Sequence, residues 1–268
     1  MSNRITIITS CEFRQNNVRS KNYEPMAKRL VHSIRTNGGK YNDAHIVMYH
    51  SEDAKPSQET CDWLSRNGCT IISGGPDLIP GEPVGNKIQA CNTRLATEYG
   101  LWVDTDMYVL DTQLFEDLID KNVDVAATGS EYGHHRWGRL SDGPIWEQLY
   151  ALAGVPAPLE TFTGGLDGEP VHFYFNSAIV LFRNGRGFAE AWKDLAVKVR
   201  FSGIENTEHN FTQTSLTLAA LKTNGQCEQL PQTYNAYYGH EQEKTLDQAV
   251  LHYQGHVIDF DSRVKWDV

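Results

Sequence analysis

Short apolar runs alternate with amphipathic stretches along the first part of the chain. Residues 4–9, 45–49 and 70–72 are apolar runs rich in β-branched side chains, which predicts three buried strands. Residues 25–37 and 57–67 place apolar side chains at helical spacing, and a glycine follows each stretch, which predicts two helices. This βαβαβ order predicts a parallel sheet whose ligand lies beyond the carboxyl ends of the strands.

The segment LWVDTDMYVL, residues 101–110, is an apolar strand pattern that Asp104 and Asp106 interrupt. Two carboxylates inside a buried strand are energetically costly unless a cation neutralises them. A bare Asp-x-Asp occurs often by chance, whereas one with apolar strand on both sides is typical of a metal site. We therefore predict that Asp104 and Asp106 bind a divalent cation.

The rest of the chain continues the alternation of helices and strands. Helices are predicted from Asn86 to Gly100, after Asp111, and at 185–199 and 206–221, and strands at 123–127, 173–182 and 250–253. Residues 128–172 are rich in Gly, His and Trp without a clear period, and we interpret them as an insertion that carries acceptor-side loops. Together these patterns predict an α/β fold, organised as a single Rossmann-like domain over residues 1–268.

Composition and charge narrow the class of protein. With 268 residues, of which 40% are hydrophobic, the chain can bury one large core. A net charge of −10 without a basic stripe argues against a nucleic-acid-binding surface. The five cysteines form no C-x-x-C pair, which favours reduced thiols. Because the sequence shows neither a transmembrane segment nor an apolar leader, we expect a cytoplasmic protein.

Six segments, taken in order, carry a resemblance to a known family. They are LWVDTDMYVL, FYFNSAIVLF at 173–182, TQTSLTLAAL at 212–221, LPQTYN at 230–235, LHYQGH at 251–256 and the pair Lys265 and Trp266. From residue 4 to residue 266 the chain resembles the GT-A glycosyltransferases of the glycogenin and bacterial galactosyltransferase type, which are glycosyltransferase family 8. The resemblance implies a GT-A domain with a mixed, mainly parallel central sheet.

The same resemblance implies a donor site, and its residues can be named in this sequence. The metal ligands would be Asp104, Asp106 and His252, binding Mn²⁺ or Mg²⁺ that holds the diphosphate of a nucleotide-sugar, in this family a UDP-sugar. Thr9 and Ser10 would lie at the nucleoside, Lys87, Thr105 and Lys265 at the donor and its diphosphate, and Asn176 and Gln213 at the donor sugar. The acceptor would be a carbohydrate or glycoconjugate. Oxygen ligands with one imidazole suit Mn²⁺, which stabilises the charge of a departing diphosphate.

The sequence departs from the family pattern at three positions. Thr212-Gln213-Thr214 stands where family members have Asp-Gln-Asp, Ala178 stands where they have a residue such as glycine, and Lys265 and Trp266 stand where they have Lys-Pro-Trp. Threonine and glutamine cannot act as a general base near neutral pH, whereas the Gln213 amide can steady a positively charged sugar. We therefore predict transfer with retention, with Asp167 or Glu169 as the alternative base.

Several of these residues also have purely structural interpretations. His252 alone is more often a hydrogen-bonded core histidine, and Asn176 can bond to its own backbone at a bulge. Gln213 and Lys87 can equally be solvent-facing residues of their helices. The neighbouring His134 and His135 are interpreted as acceptor-loop residues, since adjacent histidines on a loop rarely converge on one metal.

Three other functions remain as alternatives. A sugar-nucleotide nucleotidyltransferase would normally carry a Gly-rich basic loop after the first strand, where this chain has Ser10-Cys11-Glu12-Phe13. An aspartate-nucleophile phosphatase would carry D-x-D-x-T at its first strand, whereas here Tyr108 is the fifth residue and the motif comes far into the chain. A catalytically silent nucleotide-sugar-binding protein would show the same residues as an enzyme.

Overall fold

The computed structural model describes residues 4–14, 23–237 and 247–253. The strands in these ranges are β1 (Ile5–Ser10), β2 (His45–His50), β3 (Cys69–Ser73), β4 (Tyr99–Val103), β5 (Met107–Val109), β6 (Val125–Thr128), β7 (Phe162–Thr163), β8 (Pro170–Val171), β9 (Ile179–Arg183), β10 (Cys227–Leu230), β11 (Ala236–Tyr237) and β12 (Val250–His252). The helices are α1 (Tyr23–Asn37), α2 (Gln58–Arg66), α3 (Asn86–Cys91), α4 (Gln113–Asp120), α5 (Gly143–Ala153), α6 (Phe188–Arg200) and α7 (Thr207–Thr223). Within the same ranges, no helix combines the length and the hydropathy that crossing a bilayer requires.

A seven-stranded sheet forms the centre of the fold, in the order β10–β6–β9–β4–β1–β2–β3. Strand β1 pairs in parallel with β2 and β4, β2 with β3, and β10 with β6. Strand β9 is antiparallel to both of its neighbours, β4 and β6. The predicted α/β fold with a mixed, mainly parallel sheet is therefore confirmed. Since β1, β4 and β6 run in the same direction, the residues that follow them meet at one edge of the sheet.

Alternate residues of the central strands face opposite sides of the sheet and build two apolar cores. Ile7 on β1 packs in the core that α1, α2 and α4 share, whereas Ile8 packs in the core of α3, α5, α6 and α7. Leu101 and Trp102 on β4 divide in the same way. A slip of one residue would exchange these faces, so burial fixes the register and the direction in which each strand ends.

The chain leaves the central sheet at the turn between Asp104 and Asp106. Strand β4 ends at this turn, and β5 pairs instead with β12 in a three-stranded sheet of order β11–β12–β5. Strand β12 carries His252, which is in register with Met107. The break in the apolar run is thus a switch between two sheets, and it brings the histidine from the end of the described chain to the aspartates.

The helix predicted over 86–100 is wrong in length, because α3 ends at Cys91. The side chain of Asn92 donates a hydrogen bond of 2.8 Å to a carbonyl of the last turn and so ends the helix. Gly100 does not terminate a helix but lies within β4, where an added Cβ atom would come within 2.4 Å of the Phe182 ring. Packing of that ring against the strand therefore requires glycine.

The predictions for residues 128–182 are also corrected in part. The strand predicted over 173–182 begins only at Ile179. Just before it, the backbone N–H of Phe175 donates to the Thr217 hydroxyl of α7 at 3.0 Å, instead of to a neighbouring strand. Residues 128–172 contain helix α5 and the hairpin β7–β8, which the sequence pattern does not indicate. That the chain forms one domain over residues 1–268 stays a prediction.

Candidate active site

The turn between β4 and β5 is tethered to the end of β1 by Thr105. This buried threonine donates a hydrogen bond of 2.6 Å to the Ser10 carbonyl, and its hydroxyl lies 3.4 Å from that of Thr9. On the other side, the backbone N–H of Asp104 donates to the Ala178 carbonyl at 2.8 Å. Both aspartates are therefore held at the sheet edge where the strand order predicted a ligand.

Asp104 forms an ion pair with Lys87 in a largely buried position. The Lys87 Nζ atom lies 2.7 Å from Oδ1 and 3.0 Å from Oδ2, and it also donates to the Ser177 carbonyl at 3.2 Å. The indole N–H of Trp102 donates a further hydrogen bond of 2.7 Å to Oδ1. Burial raises the pKa of Asp104 by more than the charge of Lys87 lowers it. The protein thus supplies its own cation to this carboxylate.

His252 presents a hydrogen-bond acceptor to Asp106. Its Nδ1 lies 2.9 Å from the side-chain oxygen of Asn235, and the Asn235 amide nitrogen donates to the Thr128 hydroxyl at 3.3 Å. From this network we assign the imidazole proton to Nδ1, which leaves the Nε2 lone pair of the neutral ring free. Nε2 lies 3.5 Å from Asp106 Oδ2. Two electron-rich atoms therefore face each other, an arrangement that favours a cation between them.

Neighbouring side chains set the charge of Asp106 and the plane of the imidazole. Burial raises the pKa of Asp106, but a protonated His252, which donates from Nε2 and carries a positive charge, outweighs that effect and lowers the pKa overall when no cation lies between the two side chains. The Tyr237 ring stacks on His252, with centroids 4.8 Å apart. The hydrogen bond to Asn235 and this stacking together hold the ring so that Nε2 points at the carboxylate.

The structure brings the three predicted metal ligands together only in part. Within residues 4–14, 23–237 and 247–253, no three His, Cys, Asp or Glu side chains are grouped so that they could hold a metal ion. Asp106 and His252 face each other, whereas both oxygens of Asp104 contact Lys87. Metal binding by this triad stays a prediction, and it requires Asp104 to give up its ion pair with Lys87 for the cation.

A cleft of about 630 Å³ opens beside the aspartate turn, a size typical of small-molecule sites. Its walls come from the ends of β1 and β4, from residues 81–84, and from the junction of α6 and α7. Five residues that the sequence predicted for the donor and metal line it, namely Ser10, Lys87, Asp104, Thr105 and Asp106. Half of the ten predicted site residues therefore border one cavity.

Four predicted residues lie elsewhere or outside the described part of the chain. Thr9 is fully buried and reaches the site only through Thr105. Asn176 accepts a hydrogen bond of 2.9 Å from the N–H two residues ahead, as its structural interpretation predicts, and Gln213 Oε1 accepts one from the Tyr174 hydroxyl. Lys265 falls outside the described residues. Contacts of Asn176 and Gln213 with a donor sugar stay predictions.

A charged cluster at the cleft was not predicted from the sequence. The Glu12 side chain lines the cleft, accepts a hydrogen bond of 2.7 Å from Asn86, and lies 3.3 Å from the Arg14 guanidinium. Asn86 also donates to Asp77 at 2.8 Å. Burial raises the pKa of Glu12 in spite of these partners. One feature of the sequence could have indicated this cluster, because Glu12 lies just beyond the first predicted strand, where a ligand is expected.

Two further residues that orient the predicted ligands were also missed. Trp102 lies within an apolar strand, so its sequence context indicates a core residue, and the hydrogen bond to Asp104 is visible only in three dimensions. Asn235 belongs to the LPQTYN segment, but nothing in that segment indicates that its side chain reaches His252. Both residues act through another side chain, which sequence spacing does not reveal.

The fold is similar to those of several solved glycosyltransferase structures. The galactosyltransferase LgtC shares 14% identity and a TM-score of 0.55, with 92% of this chain and 86% of LgtC covered. Core-mannan synthase A from Aspergillus fumigatus shares 12% identity and a TM-score of 0.52, with 85% and 73% covered. The bifunctional glycosyltransferase WbbM shares 13% identity and a TM-score of 0.58, with 96% of this chain but only 46% of WbbM covered. At these identities, the likeness establishes the GT-A fold and not a shared substrate.

Sequence comparison identifies the family directly. No curated protein matches the chain. The family model of the Rhodobacterales glycosyltransferase domain matches residues 18–223, which are 206 of the 268 residues. The chain therefore belongs to the Rhodobacterales glycosyltransferase domain family and is a glycosyltransferase with the GT-A fold.

Proposed function

We propose that this enzyme transfers a sugar from a UDP-sugar to a carbohydrate or glycoconjugate acceptor, with Mn²⁺ as cofactor and with retention of anomeric configuration. The observation that carries the proposal is the pair of acceptors at Asp106 Oδ2 and His252 Nε2, 3.5 Å apart beside the cleft. Two structures of similar fold support it. LgtC was solved in complex with donor and acceptor sugar analogs, and core-mannan synthase A in an Mn/GDP form.

The residues at the turn fit a divalent cation in ligand type and in support. A carboxylate oxygen and an imidazole nitrogen are ligands that Mn²⁺ accepts, and the Nδ1 of His252 is held by Asn235, as is usual for a metal-binding histidine. Asp106 and His252 would hold the cation, with Asp104 as the third ligand. A bound cation would neutralise the charge that develops on a departing nucleoside diphosphate.

Other residues of the chain would bind and orient the donor. Thr105 fixes the turn against the Ser10 carbonyl, so the aspartates and the end of β1 form one rigid wall of the cleft. Lys87 lies in the same wall, and when Asp104 binds a cation its ammonium group becomes available to anionic oxygens of the donor. Trp102 donates a hydrogen bond to Asp104 Oδ1 and would keep that carboxylate oriented toward a cation.

Hydrolysis of nucleotide-sugars tests this proposal without knowledge of the acceptor. The purified protein is incubated with UDP-glucose, UDP-galactose, UDP-N-acetylglucosamine or GDP-mannose, with Mn²⁺ or with a chelator. We expect slow release of sugar from one UDP-sugar, only when Mn²⁺ is present. Release from GDP-mannose alone would reject the UDP assignment, and release that the chelator leaves unchanged would reject the metal.

A further inference from the structure

A carboxylate–imidazole pair lies just beyond the carboxyl end of β6. Glu131 Oε2 is 2.9 Å from His135 Nδ1, and the exposed fractions of these side chains are 14% and 41%. Because a carboxylate only accepts hydrogen bonds, the proton between them belongs to Nδ1, and Nε2 of the neutral ring is an acceptor. The pair therefore offers acceptor atoms on both side chains, and neither residue belongs to the cleft or to the predicted metal site.

The hydrogen-bond network of the active site includes Thr128, three residues before Glu131 in the chain. Strand β6 ends at Thr128 and runs in the same direction as β4, so Glu131 follows at the sheet edge that carries the aspartates. The Thr128 carbonyl accepts a hydrogen bond of 2.7 Å from the Asn176 N–H, and its hydroxyl accepts the one from Asn235 that orients His252. The segment with Glu131 is thus anchored to the backbone that supports the site.

A second connection runs through the buried residue Tyr174. Its hydroxyl donates to Gln213 Oε1. The pKa of Tyr174 is raised mainly by burial and further by the neighbouring acidic groups of Glu131 and Tyr237. Tyr237 in turn stacks on His252, with ring centroids 4.8 Å apart. The charge of Glu131 therefore acts on the buried tyrosine that bonds Gln213, a residue predicted to face the donor sugar.

Two further aromatic rings lie beside the pair, on a loop that is held by hydrogen bonds. The rings of Tyr132, His134 and His135 contact one another, with centroid separations of 4.7 to 5.2 Å. Asp167 accepts the Gly133 N–H at 2.8 Å, and the Glu131 carbonyl accepts an N–H from the same hairpin loop at 2.9 Å. A rigid loop that combines ring surfaces with strong hydrogen-bond acceptors matches a sugar ring, which has apolar C–H faces and hydroxyl donors at its rim.

We propose that Glu131 and His135, with the rings of Tyr132 and His134, bind a pyranose ring of the acceptor. This rests on the proposed function, because it assigns the acceptor side of the same transfer. Glu131 accepts hydrogen bonds from acceptor hydroxyls, and the His135 ring, held by Glu131, provides a second acceptor at Nε2. The two residues bind and position the acceptor beside the donor sugar, and no covalent step is assigned to them.

Nuclear magnetic resonance tests the subsite without donor or metal. The protein is labelled with ¹³C at histidine Cε1 and titrated with methyl β-D-glucopyranoside and methyl β-D-galactopyranoside. We expect concentration-dependent shifts of the His134 and His135 signals in the wild type and in Glu147→Gln, an exposed acidic residue of α5 that serves as control. In His135→Gln, the signal of His134, whose ring lies 4.8 Å from that of His135 in the wild type, reports binding. Glu131→Gln and His135→Gln should bind at least about tenfold more weakly, since a charge-assisted hydrogen bond is lost. A wild-type spectrum that neither glycoside changes would overturn the proposal.

The partition of the donor sugar between water and acceptor gives an independent readout. With the donor found in the hydrolysis panel, transfer to the methyl glycosides should fall in Glu131→Gln at least tenfold more than hydrolysis does, through a raised acceptor KM. An unchanged ratio of transfer to hydrolysis would overturn the subsite. If the wild type neither hydrolyses nor transfers any donor, the proposed function fails instead, and the titration still decides whether the subsite binds sugar. Should Glu131→Gln fail to fold, His135→Gln carries both tests.

Discussion

Lys87 places its ammonium nitrogen within 3.0 Å of both carboxylate oxygens of Asp104, the proposed third metal ligand. The two side chains are only 10% and 21% exposed, so solvent screens this attraction weakly. A divalent cation that binds Asp104 must therefore compete with Lys87. A nucleoside diphosphate offers the displaced ammonium group another anionic partner, so we expect Mn²⁺ and nucleotide to bind cooperatively.

Replacement of Lys87 should change this cooperativity in a defined direction. In Lys87→Gln, Mn²⁺ binding without nucleotide should tighten about tenfold, because glutamine cannot neutralise Asp104. UDP should then improve the Mn²⁺ affinity less than it does in the wild type, while catalytic turnover falls. Titration calorimetry measures both affinities, and Lys193→Gln, an exposed change on α6, is the matched control. Equal Mn²⁺ affinity with and without Lys87 would show that the ion pair does not oppose the metal.

Removal of Asp106 tests the metal assignment most directly. Asp106→Ala should abolish Mn²⁺-dependent binding of UDP, because the carboxylate that faces His252 Nε2 is lost. The fold should persist, since the backbone carbonyl of Asp106 still accepts the Tyr253 N–H at 3.0 Å. Calorimetry with UDP and Mn²⁺ gives the affinity, and the exposed Asp117→Ala on α4 is the control. Metal-dependent UDP affinity that survives in Asp106→Ala contradicts the assignment.

The pH dependence of metal binding identifies the imidazole ligand. The pKa of Asp106 is lowered by His252, so this carboxylate stays ionised as the pH falls from ~7.5 to ~5.5. A loss of Mn²⁺ affinity in that interval must then come from Asp104, whose pKa burial raises, or from protonation of the His252 imidazole, and a His252 variant separates the two causes. His252→Gln should bind Mn²⁺ more weakly at pH ~7.5 and lose most of the pH dependence. A flat wild-type profile favours the structural interpretation of His252.

The sequence predicted the elements that are both apolar and periodic. The first three strands, the two helices between them, and the break at Asp104 and Asp106 follow from continuous apolar runs and from helical spacing. Strands β1 and β2 are buried at all but one residue each. Strand β10 was not predicted, because its sequence Cys-Glu-Gln-Leu is polar and it pairs on one side only, at the sheet edge. Helix α3 was predicted too long, since side-chain bonds of Asn92 override its apolar spacing.

In the candidate site too, local sequence predicted some residues, whereas others are placed only by contacts between distant parts of the chain. Asp104, Thr105 and Asp106 are adjacent in the chain, and the strand pattern around them predicts their position. His252 could be assigned only by resemblance, because a switch of sheets brings it to the turn. The Lys87 contact with Asp104 connects α3 to β4, and no spacing rule links those two elements.

The stereochemistry of transfer is the last prediction, and the structure narrows the groups that could act as base. Asp167, an alternative base, accepts backbone N–H groups of Gly133 and Glu169 with its two oxygens, so it stabilises a turn. On α7, Gln213 cannot accept a proton near neutral pH, whereas a departing diphosphate can take the acceptor proton on the same face of the sugar, which gives retention. With an α-linked UDP-sugar as donor, proton NMR early in the reaction should therefore show an α-glycoside. A β-glycoside as first product would reject retention, and it would leave Glu169 and Glu131, the carboxylate of the acceptor subsite, as the candidate general bases.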